Sequence, residues 1–136
     1  MDAEAGASPV ALVVEDDVKF AALLARALMR IGMRVELAVT GDGALNAMRS
    51  QDPVVVVLDV MIPHPDGIEV CSQLRRDGWD GPVVLISARC SPADRAAATR
   101  AGADAFLAKP FRLAELLETV DALVSHSLRR GWAASS

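Results

Sequence analysis

The chain has 136 residues, enough for one compact domain that buries roughly two thirds of its unfolded-chain surface. Apolar residues make up 52% of it and aromatics only 4%, with no tyrosine, so the core must be valine, leucine, alanine and isoleucine. A net charge of -4 argues against direct nucleic-acid binding, no apolar run approaches the ~18 residues of a membrane span, and MDAEAGASP is no signal peptide.

The first apolar run, VALVV (10–14), is near-continuous and β-branched, the mark of a strand buried on both faces of a parallel sheet. It ends in Glu15, Asp16 and Asp17. Phe20, Leu24, Leu28 and Ile31 then recur at helical spacing, and Gly32 offers a stop. VELAV (35–39) predicts a second strand that contributes only Thr40 at its end, followed by a short helix over 42–50 carrying Ala44, Leu45 and Met48. VVVVL (54–58) predicts a third strand running straight into Asp59. Pro63, Pro65 and Gly67 delay the next helix, Ile68 to Arg76, so Asp59 is expected to have no orphan helix amides to cap. VVLIS (83–87) predicts a fourth strand ending in Ser87. Ser91-Pro92-Ala93-Asp94 supplies an N-cap, a proline at N1 and an acid at N3 for a fourth helix that Gly102 closes. AFLA (105–108) leads into Lys109-Pro110, and Leu113, Leu116, Leu117, Val120, Leu123 and Val124 form the apolar stripe of a fifth helix. The two cysteines, Cys71 and Cys90, form no C-x-x-C pair, which fits a reduced, cytoplasmic setting without a thiolate metal site.

Strand and helix alternate five times, so the fold class is α/β, a doubly wound parallel sheet with helices on both faces. Such sheets bind ligands beyond the carboxyl ends of their strands. Gathering those ends brings Glu15, Asp16 and Asp17, Asp59, Ser87 and Lys109 towards one crevice. Crowded carboxylates disfavour one another, and Lys109 supplies one positive charge against three or more negative ones. The imbalance calls for a hard divalent cation on oxygen ligands, and Mg²⁺ suits a partly hydrated site of two carboxylates. A cation and an ammonium beside one aspartate would also neutralise the oxygens of a transferring phosphoryl group while the carboxylate attacks. Singly, each residue has a plain structural explanation: the acidic triplet and Ser87 as caps, Lys109 as a loop residue. Their joint occurrence at the expected strand ends favours chemistry.

VVEDD, VLDVMIPHPDG, VLISA and GADAFLAKPF, in that order and spacing, resemble the receiver domains of bacterial two-component response regulators over about residues 9–125. The resemblance implies a five-stranded sheet of order 2-1-3-4-5. It implies Asp59 as acceptor of a phosphoryl group from a sensor histidine kinase or phosphotransfer protein. It also implies Mg²⁺ held by Asp16, by Asp59, by the backbone carbonyl of Met61 and, through water, by Glu15. Lys109 resembles the lysine that pairs with the phosphoryl group, ahead of a cis Pro110. Ser87 resembles the hydroxyl residue that turns towards the phosphoryl oxygens, and Phe106 the aromatic that moves with it. Asp17 falls at a variable position and is left a capping or water-ordering role. The implied protein is a signalling domain with slow self-catalysed dephosphorylation, not a turnover enzyme. Residues 1–8 are then expected to be a disordered tail and 126–136 a C-terminal tail or linker stub.

The fourth helix carries Ala96, Ala97, Ala98 and Ala101 with few large apolar groups, so weak packing is expected there, with helix 4, strand 5 and helix 5 as the face that reads out the switch to an unidentified protein target. Two departures from the family matter. IPHPDG has His64 and Pro65 where a glycine and a methionine are common, which stiffens the loop and alters kinase docking. GADAF and LLETVDALV lack the charges of a salt-bridged dimer, leaving a monomer or a weak, phosphorylation-dependent dimer. A binding-only receiver would have lost an acidic, acceptor or lysine position, and none is lost. An aspartate-nucleophile phosphatase needs a second acid where Met61 stands. No output segment follows residue 125, so the expectation is a stand-alone receiver or one whose output part has been removed.

Overall fold

The computed structural model describes residues 8–135, with side chains to Arg129. The expected N-terminal tail, apart from Ser8, lies outside the described residues. The elements run β1 (Val10–Val14), α1 (Val18–Arg30), β2 (Arg34–Ala38), α2 (Gly41–Gln51), β3 (Val55–Asp59), α3 (Gly67–Arg76), β4 (Val83–Ser87), α4 (Pro92–Ala101), β5 (Ala105–Ala108) and α5 (Leu113–Ser135). All neighbouring strands pair in parallel, in the order β2-β1-β3-β4-β5.

The three β-branched runs take the centre of the sheet, and every residue of β1, β3 and β4 is buried. Their alternation divides the core into two layers. Leu12, Val14, Val56, Leu58 and Leu85 face Ala44 of α2, and Val70 and Leu74 of α3. Val13, Val57 and Ile86 face Leu24 and Leu28 of α1, and Leu116 and Val120 of α5. Full burial of each such side chain is worth roughly 1.5–3 kcal/mol, so this double layer dominates stability.

Helix starts follow the capping chemistry. Asp17 accepts the Phe20 amide at 3.1 Å and Thr40 the Gly43 amide at 2.9 Å. Asp66 with Glu69, and Ser91 with Asp94, form reciprocal capping boxes. At the other end Gly102 closes α4 at φ 98°, a left-handed conformation that glycine adopts without steric cost. The differences from expectation are local. β2 begins one residue earlier, at Arg34, and β3 runs one residue further, taking Asp59 into the strand. Ile31 is 40% exposed, because it is the C-cap of α1 rather than part of its buried stripe. Helix α5 continues past residue 125 to Ser135, since neither proline nor glycine interrupts residues 113–130.

Candidate functional site

Parallel register places the carboxyl ends of β1, β3, β4 and β5 along one edge. Val14 is level with Leu58, Asp59 with Ile86, and Ser87 with Ala108. The backbone ladder extends past those ends through Val60 N–H to Ile86 O (2.9 Å) and Lys109 N–H to Ser87 O (2.8 Å), so the residues there stand on rigid backbone. Glu15, Asp16 and Asp59 each offer a carboxylate oxygen within 4.8 Å of the others. Lys109 Nζ donates to Asp59 Oδ2 at 2.6 Å and to Glu15 Oε1 at 3.1 Å. Glu15 and Asp59 are only 1% and 3% exposed, whereas Asp16 opens to solvent.

Asp59 caps no helix, as the delay of α3 implies, but it does accept a backbone amide. Its Oδ1 accepts the Met61 N–H at 2.8 Å, and Asp66, not Asp59, caps α3. A two-residue turn at the strand end needs no helix to present a free amide. Asp17 is turned away into its capping bond.

The electrostatics follow from burial. Desolvation first, and then the adjoining Asp59 carboxylate, push the Glu15 carboxyl up from 4.5 to about 7, against the lowering effect of the Asp17 amide and Lys109. Burial works against the Lys109 ammonium, but its hydrogen bonds to Asp59 and Glu15 outweigh it and raise its pKa above 10.5. Glu15 is thus reluctant to ionise chiefly because it is buried, with the neighbouring Asp59 carboxylate adding to the effect. The donor set is therefore three hard oxygens held close together with one arm open to water, which fits a small hydrated divalent cation such as Mg²⁺.

Ser87 is fully buried at the end of β4, and its Oγ accepts the Arg89 amide at 2.9 Å. Phe106 packs partly against the α2–α3–α4 side of the core, with the Arg95 guanidinium 4.9 Å from its ring centroid. The Lys109–Pro110 and His64–Pro65 peptide bonds are both cis. The loop after Asp59 is tied to α2. Gly41 N–H donates to Pro63 O at 3.1 Å, and a Cβ at Gly41 would collide with Pro65. His64 itself is exposed, 3.7 Å from Glu69. The sequence reading missed Phe20 as a site residue, taking it as core alone. The Lys109 ammonium lies 4.8 Å from its ring centroid, and its place in the first turn after an acidic strand end was the available clue.

A family model described as the response regulator receiver domain matches residues 11–121. The chain belongs to the response regulator receiver family. The receiver is 49% identical over 113 residues to the response regulator MprA of Mycolicibacterium vanbaalenii, a match covering 83% of this chain and 49% of that protein. It is 48% identical to MprA of Mycobacterium avium, again over 113 residues and 83% of the chain, with 50% of the relative covered. The chain thus spans about half the length of the curated relatives it matches. Among solved structures, the Francisella response regulator 1452 receiver domain aligns with a TM-score of 0.83 at 31% identity, covering 88% of this chain and 98% of that one. The BeF3-activated N-terminal receiver domain of Klebsiella pneumoniae RstA aligns with a TM-score of 0.80 at 30% identity, covering 85% and 97%. As a receiver the chain is a signalling domain of two-component systems, and among the described residues no helix is long and apolar enough to cross a membrane.

Proposed function

We propose that this receiver takes a phosphoryl group onto Asp59 from a phosphohistidine of a sensor kinase or phosphotransfer protein. The observation that carries the reading is one buried aspartate held between two further carboxylates and an ammonium at the mouth of the sheet. The Met61 amide holds Oδ1 and fixes the carboxylate plane, leaving Oδ2, under Lys109, to attack phosphorus. The new O–P bond forms as the P–N bond to the imidazole breaks, and the electron pair leaves with the imidazole. Lys109 Nζ follows the transferred group and neutralises one of its oxygens. Ser87 gives up its bond with the Arg89 amide and turns its hydroxyl to another.

Asp16, Asp59 and the Met61 carbonyl, with Glu15 acting through water, would hold Mg²⁺, which when bound would supply charge neutralisation at the phosphoryl oxygens. The turn of Ser87 frees space that Phe106 enters, leaving Arg95 and releasing the thinly packed α4, so that the α4–β5–α5 face changes shape for a protein target. Water then hydrolyses the acyl phosphate slowly. The domain limits proposed are 9–125, in a cytoplasmic protein that is a monomer or weakly dimerises when phosphorylated.

Fluoroberyllate (BeF3), which stands in for a phosphoryl group and activates the RstA receiver, tests the metal and acceptor assignments together. Mg²⁺ alone should raise the melting temperature, and fluoroberyllate should raise it further, because both bind only the folded cluster. Asp16→Asn should remove the Mg²⁺ response, and Asp59→Asn the fluoroberyllate response. A full Mg²⁺ response in Asp16→Asn would refute the ligand assignment.

A further inference from the structure

Lys109 is confined on more than its carboxylate side. Its ammonium is bonded to Asp59 Oδ2 and Glu15 Oε1, and on another side it meets the ring of Phe20, 4.8 Å from the centroid and within the range of a cation–π contact. The ring is itself fixed. Asp17 accepts the Phe20 amide at 3.1 Å, setting the backbone of the first turn of α1. The Phe111 ring meets that of Phe20 edge to face, with centroids 5.9 Å apart and planes at 64°, a favoured aromatic geometry. Phe20, Lys109, Pro110 and Phe111, with Asp17 and Ala88, wall a cleft at the mouth of the site. Phe20 is only half-buried and peripheral to the α1–α5 core layer, where Leu24 and Leu28 are the fully buried residues. An aliphatic residue would fill that packing position too, without the edge-to-face contact to Phe111. Only a π face serves an ammonium.

We propose that Phe20 is a positioning residue for Lys109, its ring face confining the ammonium above the acceptor carboxylate while the phosphoryl group arrives and is held. The proposal rests on the acceptor reading of Asp59. Losing the ring leaves Lys109 one wall short, free to be hydrated on the α1 side and spread over more rotamers. The bonds to Asp59 and Glu15 remain, so the change falls on how often the ammonium is in place for transfer, not on whether the site forms.

The test compares wild type, Phe20→Leu and Phe20→Tyr. Leucine keeps the apolar bulk without the ring, and tyrosine keeps the ring. In proton NMR the Lys109 ε-methylene should be shifted upfield by the ring in wild type and Phe20→Tyr, and should return towards the ordinary lysine position in Phe20→Leu. With Mg²⁺ and acetyl phosphate as donor, the maximal phosphorylation rate should fall about fivefold in Phe20→Leu, the size of a partly exposed cation–π contact, and recover in Phe20→Tyr. Circular dichroism should be unchanged throughout. An unshifted Lys109 in wild type, a Phe20→Leu rate equal to wild type, or a Phe20→Tyr rate as low as Phe20→Leu overturns the proposal while leaving Asp59 as acceptor. A wild type that takes up no phosphoryl group at all removes the acceptor reading, and this inference with it.

Discussion

Glu15 is where the burial of a carboxyl at the site becomes measurable as a pH dependence. Its folded pKa of about 7 exceeds the ordinary 4.5, so between those values the folded state holds a proton that the unfolded chain releases. Stability of the metal-free protein should therefore fall as pH rises through that window. Lys109, raised from 10.5, stays charged across it and contributes no slope there. Urea midpoints measured from about pH 5 to about pH 7.5 should decline in wild type, and Glu15→Gln should flatten that decline. Saturating Mg²⁺ should flatten it too, since the cation balances the ionised carboxylate. An undiminished slope in Glu15→Gln would place the titrating group elsewhere. Residue identity carried this far, because a glutamate and two aspartates at strand ends are visible in one dimension. What stayed hidden were partners set by side-chain direction: the Met61 amide on Asp59, the Arg89 amide on Ser87 and the Phe20 ring on Lys109.

Among the elements, α4 is fixed at both ends but thinly packed along its length. Its buried residues are two alanines, Ala98 and Ala101, so it gains little from packing. Its C-terminal end is held by Arg75. That guanidinium donates to Gly102 O at 3.0 and 2.8 Å, to Trp79 O at 2.9 Å and Gly81 O at 2.7 Å, and to Asp104 Oδ2 at 3.0 Å, while Asp104 also accepts the Val83 amide. Arg75→Ala leaves three carbonyls without this donor and should cost about 2–3 kcal/mol. Hydrogen exchange should quicken in α4 and the α3–β4 turn more than in β1 or β3, and a loss below about 0.5 kcal/mol would show the node to be dispensable. The alanine run made the weakness of α4 legible, and Ser91, Pro92 and Gly102 marked its ends. The Arg75 node was not legible, because its acceptors are backbone carbonyls that carry no residue signal. The His64–Pro65 loop was similar: it reads as stiff from its prolines, but the partner that clamps it, Gly41, belongs to a helix two elements earlier.

At the scale of the whole molecule, function depends on strand order more than on any one element. Placing β1 between β2 and β3, and β5 beside β4, carries Glu15, Asp59 and Lys109 from distant parts of the sequence into hydrogen-bonding reach. The alternation of five strands and helices predicts a doubly wound sheet, but the order 2-1-3-4-5 came only with the family resemblance. Periodicity fixes which residues face a layer and says nothing of which strands are neighbours. The most direct test of the whole account is to phosphorylate the purified chain with acetyl phosphate and Mg²⁺ and map the modified residue by mass spectrometry. The expected result is one acid-stable, base-labile phosphoryl group on the Val55–Asp59 strand, dependent on Mg²⁺ and absent from Asp59→Asn. A modification that survives Asp59→Asn, or its complete absence from wild type, would contradict it.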